Sequence, residues 1–589
     1  MPDPTLKLAL AQLNPIVGDI SGNAELAARA IERARAAGCD LVVLPELVIT
    51  GYPPEDLLLR RHFVADAEDA LERVAEAASG IVALVGCPTG GGRLRNSLAI
   101  CARGRRVTDY HKVLLPNYGV FDERRYFEPG PGGALLELGG IKIGLTVCED
   151  IWFPGPPASS EALAGASLIV NASASPYHRG KGFDRESLVA DRAEECGCPV
   201  ALCNAVGGQD ELVFDGHSVI VGPDRTTIAR ARQFSSELLV CELELPGRQV
   251  ELSEDAADRH APVLTSLSTT GGDDPSDAGA DAASAEDGRT GDLARHEAPS
   301  GGIAPVLGEI EEVYAALELG ISDYVRKNGF EEVVLGLSGG IDSALVAMLC
   351  ADALGGDAVR CVVMPSPYSA DETQQDARSI ARNLGCGLIE LGIEPMMEAF
   401  TEALAGEFSG TEPGVAEENI QARIRGTLVM ALSNKFGWLA VTTGNKSEMS
   451  VGYATLYGDM AGGFAPIKDV PKLSVYELVS DRNRRARREL VPASVIERPP
   501  TAELRGEQLD SDSLPPYEVL DRALELYVEE DADLPALVRD GIDERLAHRI
   551  IAMVDRAEYK RRQAPPGVKI TPKAFGRDRR LPITNCYRS

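Results

Sequence analysis

At 589 residues, with 44% hydrophobic and 25% charged residues, the chain has an ordinary globular composition and is too long for one core, so about two or three domains are expected. A net charge of −31 excludes nucleic acid as a general partner, because phosphate binding needs clustered Lys and Arg; it reads as a solvated acidic surface. No run approaches the roughly 18 apolar residues of a membrane helix, Met1-Pro-Asp-Pro-Thr-Leu-Lys has no secretory n- or h-region, and twelve cysteines without framework spacing fit a reducing cytoplasm.

In chain order, short apolar runs ending in turn signals predict strands at Leu6–Ala11, Leu41–Leu44, Ile81–Gly86, Ile141–Thr146, Leu168–Asn171, Val200–Asn204 and Val219–Val221. Ala- and Glu-rich stretches at Ala24–Ala37 and Asp66–Ala78 predict helices between them, so the first part is a layered α/β domain. Residues 263–302 are Thr, Ser, Gly, Asp and Ala with almost no large apolar side chain. Such a segment cannot bury enough surface to offset its ordering entropy, and an unstructured acidic linker is expected between domains at 1–262 and 303–589. The second domain opens with an amphipathic helix, Ile310–Lys327. Strands follow at Val333–Leu337, Val359–Met364, Gly387–Leu391 and Trp438–Thr442, alternating with helices such as Asp371–Leu384, which describes a doubly wound parallel sheet.

Three polar residues of the first domain stand where strands end: Glu46 after Leu-Val-Val-Leu-Pro, Lys112 in Tyr110-His-Lys-Val-Leu-Leu-Pro, and Cys148 after Ile141-Lys-Ile-Gly-Leu-Thr-Val. Taken singly, the cysteine is a small core residue and the charged pair a surface ion pair. Taken with Leu44-Pro-Glu-Leu, His111-Lys-Val-Leu-Leu-Pro-Asn-Tyr-Gly-Val-Phe-Asp-Glu and Val147-Cys-Glu-Asp-Ile-Trp, they resemble the nitrilase (carbon–nitrogen hydrolase) superfamily over about the first 260 residues. The resemblance implies an α-β-β-α sandwich and a catalytic triad of Glu46, Lys112 and Cys148, with Glu123 as a further carboxylate. The chemistry suits a glutamine carboxamide: a thiol needs a base, and an oxyanion needs a fixed cation and a backbone N–H. Asn171-Ala-Ser-Ala-Ser-Pro-Tyr-His-Arg-Gly-Lys resembles the glutamine-holding segment of this branch, which implies Ser175 and Arg179 at the α-amino-acid end and Tyr118 beside them. Cys196, Cys198 and Cys203 lack zinc-knuckle spacing and are expected to be core residues.

In the second domain Val333-Val-Leu-Gly-Leu leads into Ser338-Gly-Gly-Ile-Asp-Ser343 and a helix, an anion cradle of free N–H groups and a helix dipole. It lacks the Gly-Lys-Ser/Thr of a Walker loop. Gly336-Leu-Ser-Gly-Gly also fits a nucleophile elbow, but only His548 follows as a possible base.

Ser-Gly-Gly-x-Asp-Ser is the signature of the PP-loop ATP pyrophosphatases. Glu418-Asn-Ile-Gln-Ala-Arg-Ile-Arg, Thr443-Gly-Asn-Lys-Ser-Glu-Met-Ser-Val-Gly-Tyr and Tyr457-Gly-Asp-Met-Ala-Gly-Gly-Phe extend the resemblance to the NAD synthetase family. One departure is Pro367, where related chains usually carry a basic residue. The resemblance implies that Ser338, Gly339, Gly340, Asp342, Ser343, Thr443, Lys472 and Thr501 hold ATP. By the same route Asn419, Arg423, Glu448 and Asp459 meet nicotinate adenine dinucleotide, and Asp342 and Glu448 hold Mg²⁺.

The implied partners are therefore small molecules (glutamine, ATP, nicotinate adenine dinucleotide) and further copies of the chain as a homo-oligomer, with no nucleic acid and no membrane. A different PP-loop amidotransferase and a non-catalytic scaffold are the alternatives.

Overall fold

The computed structural model describes residues 4–90, 92–245, 261–268, 301–501, 503–505 and 508–587. It divides into two compact units, one of residues 1–209 and 214–307, the other of residues 210–213 and 308–589.

The first unit holds two mixed sheets. One has the order β14-β1-β2-β3-β4-β5, made of β1 (Thr5–Gln12), β2 (Leu41–Val43), β3 (Val82–Thr89), β4 (Arg95–Ala102), β5 (Arg105–His111) and β14 (Glu237–Glu244). The other has the order β13-β12-β9-β8-β7-β6-β15: β6 (Leu135–Leu138), β7 (Ile141–Val147), β8 (Leu168–Ser173), β9 (Val200–Asn204), β12 (Val219–Val221), β13 (Thr227–Arg230) and β15 (Val263–Leu267). A hairpin of β10 (Val206–Gln209) and β11 (Leu212–Asp215) stands apart from both.

Alternating strand residues divide between the faces. Leu6, Leu8 and Leu10 meet Ile143, Leu145 and Val170 in a shared inter-sheet core. Ala9 and Ala11 face the other way, against α1 (Ile20–Ala36) and α2 (Arg61–Glu76), while Ile169 and Leu202 do so against α3 (Ala158–Leu163) and α4 (Lys181–Cys196). Each fully buried Leu, Ile or Val here contributes about 1.5–3 kcal/mol. The result is the expected α-β-β-α sandwich. Helix α1 shows why the sequence takes this form: Asp19 caps it by accepting from Gly22 N at 3.0 Å, and its buried residues Ala27, Ile31 and Ala34 recur at helical spacing.

The linker expectation is corrected at its start. Val263–Leu267 forms β15, parallel to β6, because Leu264 and Leu267 pack against the inter-sheet core. The contact division falls after Leu307 and not at 302, and Thr269–Glu297 lies outside the described residues.

The second unit is built on a fully parallel sheet, β18-β17-β16-β19, of β16 (Val333–Gly336), β17 (Val359–Val363), β18 (Gly387–Glu390) and β19 (Leu439–Val441). Its helices include α5 (Glu309–Lys327), α6 (Ile341–Leu354), α7 (Asp371–Leu384), α8 (Glu394–Leu404), α9 (Val415–Phe436), α10 (Lys446–Val451) and α11 (Lys472–Ala486). Strand order reverses beside β16, so the loop leaving its carboxyl end opens at a topological switch point, where open α/β sheets bind ligands. Helix α6 runs from that loop with Ala344 to Cys350 all buried, which anchors the loop against the core. A further apolar cluster of Leu520, Leu524, Leu537, Ile550, Ile551 and Val554 closes the C-terminal region.

Candidate active sites

In the first unit the sequence brings four charged or nucleophilic groups into one buried cluster. Glu46 sits in the turn after β2, and the turn can press against β3 because residue 86 is glycine. A Cβ there would lie 2.3 Å from Pro45 O and 2.4 Å from Leu47 N. Lys112 follows β5, and its Nζ donates to Glu46 Oε1 at 2.7 Å and to Glu123 Oε1 at 2.8 Å. Tyr52 donates its hydroxyl to the same Glu123 oxygen at 3.0 Å. Cys148 follows β7 at φ 42°, a left-handed conformation costly for a side-chain-bearing residue, as the first residue of the sharp turn Cys148–Ile151.

Two polar residues hold that turn. Asp150 accepts from Val113 N (3.0 Å), Leu114 N (2.8 Å), Val147 N (3.0 Å) and the Tyr110 hydroxyl (2.8 Å), which clamps the Lys112 segment to the Cys148 segment. Asn171 donates to Cys148 O at 3.3 Å.

The electrostatics follow from burial. Burial and the negative charge of Glu46 hold the Cys148 thiol well above its ordinary range, while Lys112 pulls the other way. Burial alone would neutralise Lys112, but the Glu123 and Glu46 carboxylates outweigh it and keep the ammonium. Glu123 is pushed up to about 7 by burial against the pull of Lys112. A protonated thiol beside a carboxylate and a fixed cation can transfer a proton and support an oxyanion.

Of the expected glutamine contacts, Tyr118 and Ser175 adjoin residues of this cluster. Tyr118 is 54% exposed and donates to Glu149, the neighbour of Cys148, at 2.9 Å. Ser175 is buried, its N–H bonded to Asn204 Oδ1 at 2.8 Å. Arg179 lies just before α4, with its carbonyl 3.1 Å from His178 Nδ1. Two residues on, Lys181 places its ammonium 3.9 Å from the centre of the ring of Trp152, four residues beyond Cys148. Burial and the neighbouring Arg185 bring Lys181 down to about 8. Lys181 was inside the quoted segment but carried no mark that set it above Arg179.

In the second unit one cavity of about 340 Å³ gathers Ser338, Gly339, Gly340, Asp342, Ser343, Thr443, Glu448, Asp459, Lys472 and Thr501. The loop is pre-folded. Ser343 Oγ donates to Gly340 O at 3.0 Å, and Gly340 N donates to Ser338 Oγ at 3.2 Å. Gly339 has φ +86°, and a Cβ there would meet Thr373 O at 2.1 Å, so no other residue fits.

Asp342 accepts from Asn445 Nδ2 at 2.8 Å and pairs with Lys472, which also donates to Glu448 Oε1 at 3.2 Å. Burial, with Asp342 and Asp510 as like charges nearby, pushes Glu448 up to about 8 against the pull of Lys472. Asn419 and Arg423 do not line this cavity. From α9 they hold the neighbouring turn: Thr455 Oγ donates to Asn419 Oδ1 at 2.7 Å, and Arg423 Nε donates to Leu456 O at 3.3 Å. Asp459 receives Thr455 N at 2.7 Å, and burial pushes its carboxyl up to about 6. Arg425 and Asp510 also line the cavity. Neither they nor Asn445 were singled out from sequence, although Asn445 lies inside Thr443-Gly-Asn and Arg425 ends the segment that begins at Glu418.

A sandwich carrying a buried cysteine, glutamate and lysine, joined in one chain to a parallel sheet with a pyrophosphate loop, defines an enzyme class that couples amide chemistry to nucleotide chemistry. The Carbon-nitrogen hydrolase family matches residues 7–249, and the NAD synthase family matches residues 313–564. The chain is 44% identical over 586 residues to the glutamine-dependent NAD(+) synthetase of Thermotoga maritima, covering 99% of each. It is 44% identical over 584 residues to that of Aquifex aeolicus, covering 99% of this chain and 100% of the relative. A solved structure of the glutamine-dependent NAD+ synthetase from Acinetobacter baumannii, in complex with ADP, superposes with a TM-score of 0.73 at 36% identity, covering 99% of each chain. The chain belongs to the glutamine-dependent NAD(+) synthetase family, ligases of NAD synthesis.

Proposed function

We propose that the chain hydrolyses glutamine with Glu46, Lys112 and Cys148, and uses the ammonia to amidate nicotinate adenine dinucleotide that ATP has adenylated in the Ser338–Ser343 cavity. The observation that carries the amidase half is the buried cluster in which Lys112 joins Glu46 and Glu123, beside a cysteine held at φ 42°.

The thiol is protonated at rest, so Glu46 takes its proton as sulfur attacks the carboxamide carbon. Charge developing on the carboxamide oxygen meets the Lys112 ammonium and the N–H following Cys148. Glu46 returns the proton to the leaving nitrogen, and ammonia departs from a Cys148 thioester. Water, deprotonated by Glu46, then releases glutamate. Tyr118, Ser175 and the Arg179–Lys181 segment hold the α-amino-acid end, and Lys181, near Cys148, is the cation we assign to the substrate carboxylate.

In the second unit, the dinucleotide's nicotinate carboxylate attacks the α-phosphorus of ATP and pyrophosphate leaves. Ammonia adds to the acyl adenylate and AMP departs. Loop N–H groups, Ser338 and Ser343 hold the phosphates, and Lys472 neutralises the leaving charge. The A. baumannii relative was solved in complex with ADP, which supports an adenine nucleotide as a ligand of this family.

Asp342 and Glu448 suit a Mg²⁺ ion that completes its shell with phosphate oxygens and water, since such sites use one or two carboxylates. Both carboxylates pair with the Lys472 ammonium, Glu448 at 3.2 Å, so they converge on one point of the cavity. Among the described residues no group of three or more His, Cys, Asp or Glu could form an all-protein cage. When bound, the ion screens the phosphate charge. Cytoplasmic residence is supported by twelve free cysteines, and no helix among the described residues is long and apolar enough to cross a membrane. Homo-oligomerisation is part of the same proposal, tested by light scattering.

The test is labelling with a glutamine-mimicking electrophile, followed by peptide mapping, beside a Cys148→Ala variant assayed for NAD. Modification of Cys148 alone, with NAD formed by the variant from ammonium but not from glutamine, is expected. Turnover of glutamine by the variant would remove Cys148 from the mechanism.

A further inference from the structure

Glu46 is buried to 1% exposure, and its two oxygens are held from different sheets. Oε1 accepts from Lys112 Nζ at 2.7 Å and from Asn96 Nδ2 at 2.7 Å, both reaching in from the β4–β5 side. Oε2 accepts from Ala174 N at 3.1 Å, its one hydrogen bond among the described residues. Ala174 follows β8, the strand paired in parallel with β7, at whose end Cys148 stands. A carboxylate oxygen has two in-plane acceptor positions, so both are filled on Oε1 and one remains open on Oε2.

Asn96 belongs to this arrangement twice. Its carbonyl accepts from Lys112 N at 2.9 Å, fixing the Lys112 backbone, while its amide donates to Glu46. The amide's orientation follows from its partner, since a flip would set Oδ1 against the carboxylate. In this orientation Asn96 Oδ1 is buried and has no hydrogen-bond partner among the described residues. Buried unpaired acceptors are uncommon, so the donor's place on Glu46 is what the fold has kept.

We infer that Asn96 is a positioning residue: with Lys112 it fills Glu46 Oε1, so that Oε2, on the thiol's side, is the oxygen that carries the proton. The step balances. The Sγ–H bond of Cys148 breaks and the freed electron pair attacks the carboxamide carbon, while the proton forms Oε2–H. That bond then breaks as the same proton forms N–H on the departing nitrogen, which leaves as ammonia. Asn96 touches neither substrate nor thiol in this account and acts through Glu46. The inference rests on Glu46 being the base.

The test compares Asn96→Asp, Asn96→Ala and Glu46→Gln for glutamine hydrolysis by the full chain. Thermal melting checks folding, and ammonium-supported NAD synthesis checks the second unit. Losing a hydrogen bond to a charged group predicts a fall in kcat of about ten- to a hundredfold for both Asn96 variants, with KM for glutamine within twofold. Asp preserves the shape of Asn, so a packing role predicts that Asn96→Asp stays near wild type while Asn96→Ala falls. That ordering, or a rise in KM at constant kcat, overturns the inference. If Asn96→Asp loses its thermal transition, Asn96→Ala carries the test, and wild-type turnover by it overturns the inference equally. Turnover by Glu46→Gln would instead remove the base itself, a failure distinct from that of Asn96.

Discussion

Lys181 should make glutamine use fall at alkaline pH in a way that one substitution abolishes. Its ammonium is held at about 8 by burial and the neighbouring Arg185, and it lies against Trp152, four residues beyond Cys148. The sign is that of a lowered lysine: the cation is present below about 8 and is lost above it. At pH 9 only about one-tenth of the free enzyme would carry the charge, so kcat/KM for glutamine should drop about tenfold per pH unit above 8. Lys181→Arg keeps a cation that does not titrate in this range, and its profile should stay level. Lys181→Met removes a charge-assisted bond worth about 1.5–3 kcal/mol, which raises KM about ten- to 150-fold with kcat for bound glutamine little changed. Initial rates of glutamate release from pH 6.5 to 9.5 on the three proteins check this. A wild-type profile without an alkaline limb, or an Arg variant that falls in parallel, would refute Lys181 as the carboxylate's partner.

Lys112→Met leaves Glu46 and Glu123 buried together without their cation; glutaminase activity should vanish and unfolding stability fall by about 3–5 kcal/mol, read by urea titration. Gly339→Ala must displace either the loop or Thr373 O, and it should destroy ATP-dependent synthesis from ammonium while glutamine hydrolysis persists, a contrast that paired assays read directly. Asn445→Ala removes both the cap on Glu448 N at 3.0 Å and the hold on Asp342; about 1 kcal/mol of stability and about tenfold in ammonium-supported kcat should be lost, measured by thermal melting and steady-state kinetics.

Apolar periodicity located the long elements well. Asp371–Leu384 is the observed α7; the predicted strand runs of the first domain fall on β1, β2, β3, β7, β8, β9 and β12, and those of the second on β16, β17, β18 and β19. Strand β5 escaped because Arg105, Arg106 and Asp109 break its apolar pattern, and strand pairing overrides so weak a local signal, whereas β4 carries the apolar run Leu98–Ala102 and was passed over. Val263–Leu267 was hidden by the polar segment it begins, since its apolar residues gain meaning only beside β6.

At the sites, residues whose chemistry stands out were legible: a cysteine, glutamate and lysine at strand ends, and a Ser-Gly-Gly-x-Asp-Ser loop. Asn96 and Asp150 were not, because an amide or carboxylate that aims another side chain carries no mark in sequence. Asn419 and Arg423, read as dinucleotide contacts, stand on α9 and bond Thr455 and Leu456 of the neighbouring turn; they are not among the residues that line the cavity.

The coupling of the two chemistries is tested most directly by giving the full chain nicotinate adenine dinucleotide, ATP, Mg²⁺ and amide-¹⁵N glutamine with excess unlabelled ammonium absent, and weighing the NAD formed. NAD carrying the label, with AMP and glutamate produced alongside, is the predicted result. Glutamate release without labelled NAD would contradict the account, leaving an amidase whose ammonia goes to another acid.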